Sequence, residues 1–280
     1  MLLGTIAGDI IGSYYERNST KSKDFDIFLN NHFTDDTVMT IAVANALLTN
    51  TSYKDNIIHF GRKYFEVGYG GSFRAWLVGN PDVEVKPTKT WSDPSIPEFE
   101  NTGESFKPYN SWGNGSAMRV SPVAFAFDTL DEVLAEAKKT ADVTHNHPEG
   151  VKGAQAIAMA IYMAINDATK DEIKNAIENK FDYDLSRKLD DIRPDYKFDV
   201  SCQGSVPESI ICFLESTDYE DCIRNAISLG GDADTLAAMA GGIASIYYNG
   251  VPELIQEKVF DILPDEFSKI IVDFNLKFKK

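Results

Sequence analysis

The sequence is poor in several features, and each shortage excludes a class of protein. Among 280 residues there are only three cysteines, Cys202, Cys212 and Cys222, an odd number spaced ten apart with no C-x-x-C pair. That pattern supports neither a disulfide framework nor a thiolate zinc site, so the cysteines read as free thiols in a reducing compartment, with the cytoplasm as the expected location. Basic residues are scarce: 27 Lys+Arg against 43 Asp+Glu leave a formal charge of −16. Binding a phosphate backbone requires a basic stripe that neutralises charge and releases counterions, so neither nucleic acid nor an anionic membrane is expected as a partner. Long apolar runs are missing too. The opening Met-Leu-Leu-Gly-Thr-Ile-Ala-Gly-Asp has no basic segment and carries Asp9, which is too polar for a signal peptide or membrane span. Runs with alternating apolar and polar residues are few, and no repeat or low-complexity tract is present.

What is there is ordinary globular material, 43% apolar and 25% charged, enough to bury a sizeable core. Gly4, Gly8 and Gly12 recur every four residues between Ile, Leu and Ala. Glycines at that spacing share one helix face and predict a core helix in close contact with a neighbour. Helical periodicity recurs over 36–48, 54–66, 131–142, 149–166, 171–180, 205–216, 219–228, 234–248, 252–262 and 264–278. The expectation is an all-α fold, a single orthogonal multi-helix domain over 1–280. Five of the 11 prolines fall in one polar stretch, 79–110, which is expected to be a long functional loop rather than a linker. Oligomeric state is not legible, and a monomer is the default.

Two similar strings stand almost 200 residues apart. Thr34-Asp35-Asp36-Thr37 opens one predicted helix, and Asp232-Ala233-Asp234-Thr235, after Gly230-Gly231, opens another. Helix capping accounts for either string alone, because Asp and Thr are good caps and acids suit the first turn. The pair asks for more. Four carboxylates brought together without a basic partner require cations or protons, and an all-oxygen donor set suits Mg²⁺ or Mn²⁺. A site for two such ions is the economical expectation. A third element, Ser111-Trp112-Gly113-Asn114-Gly115-Ser116-Ala117-Met118-Arg119, lacks the preceding strand and third glycine of a dinucleotide fingerprint. Its amides, like those of Gly70-Gly71-Ser72, suit an anion, although a tight interhelical turn accounts for either equally well. In Thr144-His145-Asn146-His147-Pro148 the H-x-H pair reads as a turn with one functional ring rather than a zinc site.

Taken in chain order, Gly8-Asp9, Gly12-Ser13 with Glu16, Thr34 to Thr37, Gly113 to Arg119, Thr144-His145 and Gly231 to Thr235 resemble the ADP-ribosylglycohydrolase family. The resemblance implies an all-α fold with a central binuclear Mg²⁺ or Mn²⁺ site and release of ADP-ribose from a protein or small-molecule acceptor. It places metal ligands at Thr34, Asp35, Asp36, Asp232, Asp234 and Thr235. It places catalytic acid/base work on Glu16, Asp35 and Asp36, and substrate contacts at Gly70, Gly71, Ser72, Ser111, Trp112, Gly113, Asn114, Gly115, Met118 and His145. The arginine-directed bacterial branch has an aspartate in the loop that reads Gly70-Gly71-Ser72 here. The competing expectations are a catalytically inactive, crystallin-like member that binds ADP-ribose or serves a structural role, and a phosphohydrolase acting on the pyrophosphate. The complete carboxylate set favours an enzyme over the inactive member; the phosphohydrolase would use the same ions.

Overall fold

The computed structural model describes residues 1–79 and 106–278. Most of the proline-rich stretch 79–110 therefore lies outside the described residues. Fourteen α-helices are present among those residues. The first four are α1 (Leu3–Arg17), α2 (Asp35–Thr49), α3 (Tyr53–Lys63) and α4 (Gly71–Val78). A central group follows: α5 (Ser121–Ala126), α6 (Leu130–Asp142), α7 (Pro148–Ile165), α8 (Lys170–Phe181) and α9 (Leu189–Ile192). The last five are α10 (Cys202–Leu214), α11 (Tyr219–Leu229), α12 (Ala233–Tyr247), α13 (Glu253–Ile262) and α14 (Asp265–Lys277). The one β-type pairing among the described residues is an isolated bridge between Gly113 and Ser201. The fold is all-α, as expected.

The centre of the molecule is the pairing of α1 with α12. Gly8 lies so close to α12 that a Cβ built on it would stand 2.1 Å from the Ala237 carbonyl oxygen; one on Gly12 would stand 2.4 Å from the Asp234 Cα. Close approach of this kind needs glycine, so the predicted small-residue face does what its spacing implies. Both helices are buried almost all round, which fits their lack of a polar face. Their burial places the start of α12 beside the last turns of α1. The link from α11 into α12 runs through Gly230 (φ +72°) and Gly231 (φ +73°), left-handed conformations that suit glycine.

Three helices are not legible in the periodicity. α5 and α9 are six and four residues long, too short to show a period. α4 begins with Gly71, a poor helix former, and its sequence reads as a loop; the burial of Phe73, Trp76 and Leu77 holds it helical instead. The segment before the 3₁₀ turn Asn114–Ser116 is tied to the approach to α10 by Cys202 N–H to the Trp112 carbonyl (3.0 Å) and Asn114 N–H to the Val200 carbonyl (2.8 Å). All three cysteines are buried free thiols. No helix of the described residues is long and apolar enough to cross a membrane.

Candidate active site

The end of α1, the starts of α2, α4 and α12, the 111–119 segment, His145 and residues 198–200 enclose one cavity of about 430 Å³. Every sequence-predicted site residue lines it except Trp112, which stands 49% exposed, next to Gly113.

One side of the cavity is acidic. Thr34 caps α2 by accepting the Asp36 amide at 3.3 Å, so capping accounts for part of the first string. It does not account for the second: the Asp232 side chain caps nothing in α12 and instead accepts a 2.6 Å hydrogen bond from Asn114 Nδ2. The two strings meet directly where Thr235 Oγ1 donates to Asp36 Oδ2 at 3.1 Å. Carboxylate oxygens of Asp9, Asp36 and Asp234 lie within 4.8 Å of one another, and so do those of Glu16, Asp232 and Asp234. Asp234 belongs to both groups. Asp36 Oδ1 and Asp234 Oδ1 are buried with no hydrogen-bond partner among the described residues. Burial, and then mutual repulsion, holds Asp35, Asp36 and Asp234 well above the usual carboxylate range; burial pushes Asp232 to about 6 and raises Glu16. Buried, oxygen-only and short of partners, these side chains fit hard divalent cations. Asp35 belongs to neither triad but feels the charges of Asp9, Asp232 and Glu16, and its Oδ1 is against the Gly68 turn, 3.3 Å from where a Cβ would sit.

Other parts of the cavity wall present hydrogen-bond donors. Gly70 caps α4 without a side chain, and a Cβ on Gly70 or Gly71 would meet nothing within 4 Å, so neither glycine is demanded by packing. The open space lies at a helix N-terminus, where free amides and the dipole favour an anion. The Ser111, Gly113 and Asn114 amides are occupied within the protein. Ser111 N–H donates to the Thr144 carbonyl, Gly113 N–H to Ser111 Oγ and Asn114 N–H to the Val200 carbonyl. Arg119 is 1% exposed and donates through Nη2 to the Thr140 carbonyl (2.9 Å) and Thr144 Oγ1 (3.0 Å). Burial lowers its pKa to about 10, so it remains a cation at neutral pH. His145 has Nδ1 2.7 Å from Thr144 Oγ1, and burial and then the Arg119 charge hold it neutral, well below its usual range. His147 caps α7 by accepting the Glu149 amide, so the H-x-H pair is divided between a helix cap and a cavity wall.

The sequence model of the ADP-ribosylglycohydrolase family matches residues 1–277. The chain belongs to the ADP-ribosylglycohydrolase family. Among curated relatives, the Homo sapiens ADP-ribosylhydrolase ARH3 is 27% identical over 91% of this chain and 87% of its own length. The Rhodospirillum rubrum ADP-ribosyl-[dinitrogen reductase] glycohydrolase is 27% identical over 65% of this chain and 60% of its own. A solved structure described as an ADP-ribosylglycohydrolase-related protein complex shares the fold at TM-score 0.69 and 21% identity, covering 98% of this chain and 94% of that one.

Three residues that shape this glycohydrolase's cavity were given no role by sequence reasoning. Asp9 is fully buried and accepts hydrogen bonds from the amides and hydroxyls of both Thr34 and Thr37. An acid in the middle of the otherwise uncharged first three turns of α1 is the visible signal for it. Asp9 stands behind the cavity wall, whereas Arg119 and Tyr69 line it, and the Tyr69 hydroxyl is buried without a partner among the described residues. Their roles depend on tertiary neighbours that no local pattern announces.

Proposed function

We propose that this glycohydrolase is a divalent-metal-dependent enzyme that hydrolyses the glycosidic bond between ADP-ribose and a protein or small-molecule acceptor, releasing ADP-ribose. The observation that carries the reading is the pair of unpartnered carboxylate oxygens, Asp36 Oδ1 and Asp234 Oδ1, facing one cavity with the open α4 N-terminus. Asp35, Asp36, Asp232, Asp234, Thr34 and Thr235 would hold two Mg²⁺ or Mn²⁺ ions, with Glu16 at the edge of the set. When bound, such ions offset the carboxylate charge and lower the pKa of a nearby water.

The chain's own residues do the rest. Glycosidic cleavage passes through an oxocarbenium-like state and needs a proton delivered to the leaving group and removed from water. Glu16 suits that exchange: it is only half-buried, lines the cavity, and burial raises its pKa toward the working range. Asn114 fixes the Asp232 carboxylate through its 2.6 Å hydrogen bond. The amides of Gly71 and Ser72 receive the pyrophosphate where the absent side chains of Gly70 and Gly71 leave room. Phe198, 57% exposed at the cavity, offers an apolar surface for the base.

The test uses peptides ADP-ribosylated on serine or arginine, with Mg²⁺, Mn²⁺ or EDTA present. Free ADP-ribose is the expected product, lost with EDTA and in both Asp36→Asn and Asp234→Asn. Glu16→Gln should lower kcat by about 10²-fold or more while ADP-ribose binding persists. Release of AMP would replace this reading with pyrophosphate cleavage; tight binding without turnover of any linkage would replace it with a binding protein.

A further inference from the structure

We propose that Arg119 and Thr144 are positioning residues that lock His145 as an Nε2–H donor, presented to an acceptor oxygen of a bound nucleoside diphosphate. The proposal rests on the reading of the cavity as an ADP-ribose site and deepens it.

One short chain of contacts, Arg119 to Thr144 to His145, fixes where the protons lie. Arg119 has five N–H donors and no acceptor, so its 3.0 Å contact to Thr144 Oγ1 runs from arginine to threonine. Thr144 is completely buried, and its hydroxyl has one other partner among the described residues, His145 Nδ1 at 2.7 Å. If Nδ1 carried the hydrogen, Thr144 Oγ1 would accept twice and its own proton would be stranded in a buried site. A stranded buried donor costs about 1–3 kcal/mol, whereas the alternative puts the ring hydrogen on Nε2, on the cavity side, and gives the threonine proton an acceptor. The threonine therefore donates to Nδ1, and the hydrogen of the neutral ring resides on Nε2. A doubly protonated ring would face the same stranding and the Arg119 charge beside it.

Nε2 has no hydrogen-bond partner among the described residues, and the ring lines the cavity. It borders the glycine turn: a Cβ on Gly115 would stand 3.0 Å from it, and one on Gly113 3.6 Å. The donor is thus left free on the side from which a ligand approaches. Arg119 adds a second observation. Among the described residues its cation has no carboxylate partner, its Nε is buried and unpaired, and it lies in the same cavity wall. A buried positive charge balanced only by a carbonyl and a hydroxyl favours a ligand that brings negative charge to this wall. A diphosphate does so and supplies the oxygen that Nε2–H requires.

The test is spectroscopic first. In protein labelled with ¹⁵N-histidine, two-bond nitrogen–proton correlations at neutral pH report the tautomer, and His145→Gln identifies the signal. Wild type and Thr144→Ser should show Nε2–H; Thr144→Val should lose the preference. By calorimetry Thr144→Val should bind ADP-ribose about tenfold more weakly and Thr144→Ser about as tightly as wild type. An Nδ1–H ring in the wild-type protein overturns the proposal even if Thr144→Val fails to fold. So does a Thr144→Val protein with unchanged tautomer and unchanged affinity. A wild-type protein that shows the Nε2–H ring yet binds no ADP-ribose overturns both the ligand named here and the functional reading; failure of Thr144→Val alone to weaken binding leaves the functional reading standing.

Discussion

Asp9 shows how one residue organises a site that it does not chiefly form. It stands on α1, yet its two oxygens receive the amides of Thr34 and Thr37 and the hydroxyls of both threonines, 25 and 28 positions along the chain. A carboxylate at a helix N-terminus satisfies amides that have no intrahelical acceptor and suits the dipole. Here it also fixes the backbone that carries Asp35 and Asp36. Asp9→Asn replaces an acceptor with an amide group facing these donors. Equilibrium denaturation should show a loss of about 2–4 kcal/mol, and Mg²⁺ titration should show affinity about tenfold or more weaker. An unchanged unfolding midpoint would contradict this account. The contrast with the neighbouring residues explains what the sequence made legible. Thr34 to Asp36 and Asp232 to Thr235 announce themselves as strings, whereas the contribution of Asp9 appears only when two distant elements meet.

At the scale of elements, α1 and α12 form a single support for the carboxylates. Glu16 and Asp9 come from one, Asp234 and Thr235 from the other, and the glycine face sets their separation. Gly4 and Gly12 sit at opposite ends of that face. A methyl group at Gly4 would meet Ser245 Oγ at 2.1 Å, far along α12 from the site, and one at Gly12 would meet the backbone of Asp234 itself. Gly4→Ala and Gly12→Ala should each destabilise by about 1–3 kcal/mol or more in denaturant unfolding. Only Gly12→Ala should also weaken Mg²⁺ binding, read by calorimetry at a temperature where both variants stay folded; equal binding by the two would sever the link between helix spacing and site geometry. The glycine period made this pairing readable in the sequence, because close approach leaves a local signature. α4 left none. Its helical state depends on Phe73 and Trp76 packing into the core, and its opening glycines argue locally for a loop.

The whole molecule carries a charge of −16, and of the buried acids among the described residues all but Glu208, which pairs with Arg187, are gathered at one cavity: Asp9, Asp36, Asp232 and Asp234. The metal-free protein must therefore retain protons there. With Asp232 raised to about 6, and with burial and mutual repulsion holding Asp35, Asp36 and Asp234 well above the usual carboxylate range, the folded state holds protons that the unfolded chain has already released. The stability these groups contribute is complete below their unfolded pKa of about 4 and is lost as pH rises through the raised values. On the proposed reading Mg²⁺ would displace the same protons and bind only the folded state, so its stabilising effect should grow over the same interval. At a hundredfold excess over Kd the gain is about 2.7 kcal/mol, which for a chain of this size raises Tm by about 5 °C. Thermal unfolding from about pH 5 to 7.5, with EDTA and with Mg²⁺, should give two curves that diverge as the pH rises. The difference between the curves is the quantity to read, because acids and histidines elsewhere titrate in both conditions and cancel. Parallel curves would mean that the carboxylates release no protons to the metal. The cluster would then hold together as a network of protonated acids, with the divalent ions playing no part in its charge balance.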